Sequence, residues 1–207
     1  MVTKRVPQTI DHPKIIQIKV TLGGVKPPVW RRLVMRGGMH LGQLHMAIQA
    51  VMGWHDRHLH RFNIGGESYG NRRRVDDTAA EMWLTLHSLL KAGVTRFDYI
   101  YDFRDTWEHL VAFEKNEPPV AGATYPICIG GKRNCPPEEC GGPLGYAELL
   151  AILADPNHPE HAQQLAWVGG AFDPEEFDLE RANRVLAARF AKKRATPDGA
   201  RSPQPSG

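Results

Sequence analysis

FDYIYDFRDTWEHLVAF, residues 97–113, is the stretch that decides the fold. Phe97, Tyr99, Tyr101 and Phe103 alternate with Asp98, Ile100 and Asp102, and Trp107, His109, Val111 and Phe113 alternate in turn. That period of two is the signature of half-buried strands, and the short Arg104-Asp105-Thr106 link joins the two runs as a hairpin. Upstream, Ile16, Ile18, Val20 and Leu22 alternate with Gln17, Lys19 and Thr21, and after Gly23-Gly24 and Pro27-Pro28 the segment 29–36 reads as a second strand. Leu41, Leu44, Ile48 and Val51 recur at helical spacing, and Gly53 stands where that helix stops. Residues 59–64 are extended and meet the hairpin signal Gly65-Gly66. Downstream of the deciding hairpin the periodicity turns helical. A helix covers 146–153 before Asp155-Pro156, another opens at Pro159 under an Asn157 or His158 cap, and the last covers 174–190, entered through Asp173. Leu179, Ala182, Leu186 and Phe190 mark its buried face. The expected class is α+β: a mainly antiparallel mixed sheet with hairpins, one helix after the first two strands, and C-terminal helices packed on it.

A chain of 207 residues, 42% apolar and 24% charged, has the make-up of one globular domain. We expect a flexible N-terminus at 1–13, a single domain at 14–190 and a disordered Pro/Ser/Gly-rich basic tail at 191–207. No run approaches the roughly 18 apolar residues of a membrane span, and MVTKRVPQTIDHPK lacks the apolar core of a signal peptide. The expectation is a cytoplasmic protein with no membrane partner. Its three cysteines cannot all pair within one chain, and in a reducing compartment they read as thiols or metal ligands. From Lys192 onward the tail carries four basic residues and one acidic, which leaves the rest of the chain formally neutral. A nucleic-acid partner is therefore weakly supported, resting on Arg72-Arg73-Arg74 and the tail.

Chemistry concentrates in two segments. YPICIGGKRNCPPEECGGPLGY, residues 125–146, holds Cys128, Cys135 and Cys140, with Glu138 and Glu139 between the last two. Three thiolates with His109, or with His161, would meet zinc's demand for four soft or borderline ligands, although no C-x2-C knuckle occurs. The alternatives are small buried residues packed on the sheet, or a redox thiol pair. Lys132 and Arg133 beside Gly130-Gly131 could hold an anion, with Gly141-Gly142 offering further open backbone; the plainer reading is two irregular turns. In the hairpin, Asp102, Asp105 and His109, with Glu138 from the loop, are candidates for general acid–base work. The plainer reading makes the aspartates turn formers and His109 a hydrogen-bonded core residue. WHDRHLHRF, residues 54–62, gathers His55, His58 and His60 around Asp56. His58 and His60 would share a strand face and could bind a metal or move protons, against the opposing charges of Arg57 and Arg61. Trp30, Trp54, Trp107 and Trp167 read as core or groove walls, Trp107 among the candidate ligand contacts.

The ordered set KPPVWRR (26–32), LGQLHMAIQAVMGWHDRHLHRF (41–62), YDFRDTWEHL (101–110), YPICIGGKRNCPPEECGGPLGY (125–146), DPNHPEH (155–161) and FDPEEFD (172–178) resembles the plasmid pRiA4b ORF-3-like family. The resemblance spans 15–190 and implies an α+β fold. Members are often labelled passenger proteins of transposable elements, without an established activity. This chain departs from the family pattern at two places: YDFGDDWEH reads YDFRDTWEH, with Arg104 for a glycine and Thr106 for an aspartate, and CPPEDCGG reads CPPEECGG, with Glu139 for an aspartate. If the family glycine uses positive φ, Arg104 must adopt it or the turn is rebuilt. Three function classes follow. The first is a binding or accessory module with a polar groove between hairpin and loop, taking a small molecule or a protein. The second is a metal-dependent, zinc-type hydrolase built on the Asp/His/Cys cluster, and the third a nucleic-acid-binding accessory protein.

Overall fold

The computed structural model describes residues 15–71, 78–117 and 122–191. The expectations for the N-terminus, for Arg72-Arg73-Arg74 and for the tail from Lys192 fall outside the described residues. In chain order the elements are β1 (Ile15–Leu22), β2 (Trp30–Arg36), α1 (Leu41–Met52), β3 (His60–Ile64), β4 (Glu67–Gly70), β5 (Ala79–Ala80), a 3-10 turn (Glu81–Trp83) and α2 (Leu86–Lys91). Then follow β6 (Arg96–Tyr101), β7 (Trp107–Glu117), β8 (Ile127–Lys132), α3 (Gly142–Ala154), α4 (His161–Trp167) and α5 (Leu179–Phe190).

One sheet runs β5-β4-β3-β6-β7-β1-β2-β8, antiparallel at every pairing except β4 with β5. The α+β expectation holds. Alternation puts Ile16, Ile18, Val20 and Leu22 of β1, Tyr99 and Tyr101 of β6, and Trp107, His109 and Val111 of β7 in the core. The other sheet face stays open, as antiparallel sheets permit, with the Arg32–Glu114 pair lying between β2 and β7. α1 packs against α5 and the core, and α5 packs in turn on β8.

Local chemistry sets the boundaries. His40 caps α1 reciprocally with Gln43, and Gly53 ends it in the left-handed region at φ 81°. The β6–β7 hairpin closes at Tyr101↔Trp107, and its turn takes positive φ at Asp102 (56°) and Thr106 (53°), not at Arg104. The arginine that replaces the family glycine therefore meets no left-handed demand. Glu139, the other departure, does sit at φ 66°. The last helix differs from the sequence expectation, opening at Leu179 rather than near Pro174. Asp178 caps it by accepting from the Arg181 N–H at 2.8 Å. Residues 173–176 instead form a local turn on the Asp173 carboxylate, and the Pro174 carbonyl accepts from the Asn134 N–H, so the segment is tied to the thiol-bearing loop.

Candidate functional site

The thiol-bearing loop folds onto the acidic turn. Asp105 Oδ2 accepts the Gly141 N–H at 3.1 Å, the Tyr101 hydroxyl donates to Glu138 Oε1 at 2.5 Å, and the Trp54 indole N–H donates to the Pro136 carbonyl at 2.9 Å. Glu138 also accepts the His55 N–H at 3.0 Å, fixing the loop to the turn that leaves α1. Side chains fill the junction itself: Trp54 stacks on Tyr101 at 5.0 Å and lies 5.9 Å from Trp107. Open space lies on the outer side of the loop. There a cavity of about 430 Å³ is lined by Glu139, Cys140, Glu148, Glu160, Gln163 and Trp167 among others.

Most of the hairpin's acids are engaged. Asp102 Oδ1 accepts from the N–H groups of Arg104 and Asp105, and Asp102 Oδ2 lies 3.5 Å from His58 Nδ1. These bonds hold the turn in shape, the role that aspartates take in tight turns. His109 is sealed in the core, its Nδ1–H shared between the carbonyls of Trp107 and Tyr99. Burial holds its pKa down at about 4, against the opposing pull of those two carbonyls. Trp107 is buried beside it, whereas Trp167 is half-exposed on the cavity wall and Trp30 lies under Lys19 and Arg32.

The thiols are free, and burial pushes Cys135 and Cys140 up to about 12. Cys128 donates to the Gly130 carbonyl and is likewise raised by burial. Among the described residues the three thiols and His109 do not form a set with mutually close ligand atoms. His161 donates Nδ1–H to the Ile152 carbonyl. Lys132 is exposed, while Arg133 is buried and its guanidinium is paired with Glu175 at 2.5 Å. Gly130 and Gly131 belong to β8 rather than to an anion cradle. An added Cβ at Gly131 would fall 2.5 Å from the Phe177 ring, which itself covers the buried Arg31 guanidinium at 4.1 Å.

The histidine run separates into two groups. His55 and His58 face the loop, with His58 Nε2 3.9 Å from Glu139 Oε1. His60 turns inward, because β3 begins there with a buried position, and its ring stacks on that of His45 from α1 at 3.5 Å and 8°. His45 Nε2 lies 3.0 Å from Asp56 Oδ1, His45 Nδ1 lies 2.8 Å from the Tyr99 hydroxyl, and His60 Nε2 lies 2.7 Å from Glu81 Oε2. Gln49 ties the group together, donating to the Tyr99 hydroxyl and accepting from the Asp56 N–H. Burial lowers the pKa of His45, the Asp56 bond opposing it. His45, Asp56 and His60 are, among the described residues, the one set of three such ligand atoms all within 4.8 Å of one another, and that set could hold a metal ion. Sequence reasoning missed His45, Glu81, Gln49 and Tyr99 as site residues. The available signal was His45 and Gln49 on the face of α1 that also carries Leu41, Leu44 and Ile48. Polar residues on a buried helix face need partners.

The chain belongs to the plasmid pRiA4b ORF-3-like protein family, which it matches over residues 14–181, a span holding every residue of both groups and of the cavity. It is similar to the uncharacterized protein y4hQ of Sinorhizobium fredii (strain NBRC 101917 / NGR234), 36% identical over 186 residues, covering 86% of this chain and 95% of the relative. It is also similar to the crystal structure of the protein of unknown function MM3350 from Methanosarcina mazei Go1, with a TM-score of 0.76 and 37% identity, covering 82% of this chain and 97% of that one. No helix among the described residues is long and apolar enough to cross a membrane.

Proposed function

We propose that the chain is a binding module that receives a cationic group in the cavity beside the thiol-bearing loop and carries a zinc-type ion at His45, Asp56 and His60. What supports the first part is one convergence: the carboxylates of Glu139, Glu148 and Glu160 and the half-exposed ring of Trp167 line the same cavity of about 430 Å³. An amine or guanidinium over an indole face gains about 0.5–2 kcal/mol, and flanking carboxylates add attraction that salt screens. Cys140 stands in that wall as a neutral thiol, raised first by burial and then by Asp105. The hairpin contributes indirectly, since Asp105 holds the loop that forms the wall. Such a lining repels phosphate, which turns this face away from nucleic acid. The cofactor part is supported separately by two imidazoles and a carboxylate, the ligand types of a zinc site. An association with plasmids accords with the family's description as plasmid pRiA4b ORF-3-like protein.

Isothermal titration with a lysine-rich peptide and, separately, with spermidine tests the cavity. We expect affinity that falls as salt is added and drops about tenfold, or 1.4 kcal/mol, in Trp167→Ala and in Glu148→Gln. Binding of the peptide alone identifies a protein partner, and binding of spermidine alone a small molecule. Affinity unchanged in both variants removes the cavity from consideration.

A further inference from the structure

We infer that Glu81 completes a closed, four-ligand divalent-metal centre with His45, Asp56 and His60, and that this centre staples the fold rather than performing catalysis. The inference rests on the zinc-type reading of the three residues and adds the fourth ligand, the closure and the consequence.

Glu81 is turned inward where its neighbours are not. Met82 and Trp83 of the same 3-10 turn are 62% and 83% exposed, yet the Glu81 side chain is 13% exposed and lies 2.7 Å from His60 Nε2. α1 leaves room for it. At Gly42, inside the helix, an added Cβ would come within 3.2 Å of both Glu81 Oε1 and the His40 ring. Gly42 stands in the first turn of α1, and its lack of a Cβ admits the carboxylate against the helix. Glu81 is bonded to His60, Asp56 is bonded to His45 and the two rings are in contact, so one polar cluster links all four side chains. Glu81 stands just outside the three mutually close ligand atoms and reaches them by following the His60 ring inward.

Two imidazoles and two carboxylates fill a tetrahedron, so no coordination position is left for substrate or water, the mark of a structural rather than a catalytic ion. Imidazole donors select zinc-type transition ions over magnesium or calcium, which prefer all-oxygen cages. The supporting shell is in place. The Tyr99 hydroxyl lies 2.8 Å from His45 Nδ1 while it accepts from Gln49, which fixes the orientation of the ring; ligation through Nε2 requires the tautomer that carries its proton on Nδ1. With the two ring planes nearly parallel and 3.5 Å apart, an ion cannot lie in both planes at once, so its capture requires the two imidazoles to tilt toward a shared point. The four ligands come from α1, the turn after it, β3 and the 3-10 turn, elements separated by up to 36 positions in the chain.

The test uses the full chain purified without a histidine tag and stripped with a chelator, then titrated with zinc chloride and with cobalt chloride. We expect one ion per chain and a melting temperature raised by roughly 5–10 °C at an ion concentration about 100-fold above Kd. The cobalt form should show the intense visible absorption of tetrahedral coordination without a thiolate charge-transfer band. Glu81→Gln and Asp56→Asn, both at partly exposed carboxylates, should each weaken binding at least about tenfold while leaving the ion-free melting temperature near that of the parent. Gly42→Ala, which crowds Glu81 without removing a ligand, should weaken binding too. Absence of stoichiometric binding overturns both the zinc-type reading and the closed centre, and so does a thiolate charge-transfer band, which would move the ion to the cysteines. Loss of binding in Asp56→Asn with none in Glu81→Gln, together with the weak absorption of a higher coordination number, keeps the zinc-type reading and overturns the closed centre.

Discussion

At Tyr101 a single hydroxyl joins three segments. It donates to Glu138 of the thiol-bearing loop at 2.5 Å and accepts the Arg57 N–H at 3.1 Å, while its ring stacks on Trp54. Burial and the adjacent Glu138 carboxylate push its pKa up, so it stays a neutral donor throughout the physiological range. Tyr101→Phe leaves the carboxylate and a backbone N–H short of a partner, and we expect a loss of about 1–3 kcal/mol. It should be read as a lower urea midpoint with an unchanged slope. Glu138→Gln, which keeps an acceptor for the same hydroxyl, should cost less. Glu138 was legible as a special residue because it stands in a Gly/Pro/Cys-rich loop. Its partner was not, since Tyr101 satisfies the strand alternation whether or not its hydroxyl is used.

At the scale of elements, the loop and the hairpin turn meet through adjacent glycines that do different work. Gly141 and Gly142 both take positive φ, 88° and 69°, but a Cβ at Gly141 would meet only Gly145 at 3.4 Å, whereas one at Gly142 would fall 2.5 Å from the Asp105 carbonyl oxygen. Gly141→Ala should therefore cost about 1 kcal/mol of left-handed strain. Gly142→Ala should cost about 2 kcal/mol or more, because the loop must lift from the turn. Chemical denaturation of the two variants checks the order, and equal losses would mean that the close approach contributes nothing. β1, β2, β3, β6, β7 and α1 were legible because alternation and helical spacing are local, whereas β8 was hidden by its glycines. The start of α5 was not. Asp173-Pro174 looks like a helix entry, but contacts of residues 173–177 with Asn134 and Arg31, far away in sequence, hold that segment in a turn.

For the whole molecule, the buried histidines tie stability to pH. His109 ordinarily titrates near 6.5, and burial in the fold holds it at about 4. Above pH 6.5 it is neutral in both states. As pH falls from 6.5 to 4 the unfolded chain takes up a proton that the folded one refuses, so stability drops by up to about 1.4 kcal/mol per pH unit from this group. Burial moves His45 in the same direction. Urea midpoints measured at pH 7, 6 and 5, largely above carboxylate titration, should fall steadily, and a flat profile over that range would falsify the burial of an uncharged His109.

Taken alone, the sequence determined the first two strands, α1, the strand that follows it, the β6–β7 hairpin, the helical character of the last third, the class, the family and the two segments where polar chemistry gathers. Each of those is written in periodicity or in residues adjacent along the chain. Only the tertiary structure decided which polar groups meet. It set Glu138 on Tyr101, placed His109 in the core, divided one histidine run between two sites, and brought His45, Asp56, His60 and Glu81 together from four separate elements. The physical reason is that a strand or helix pattern fixes which face a side chain takes, while the partner on that face comes from sheet register and helix docking, which depend on contacts across the whole chain.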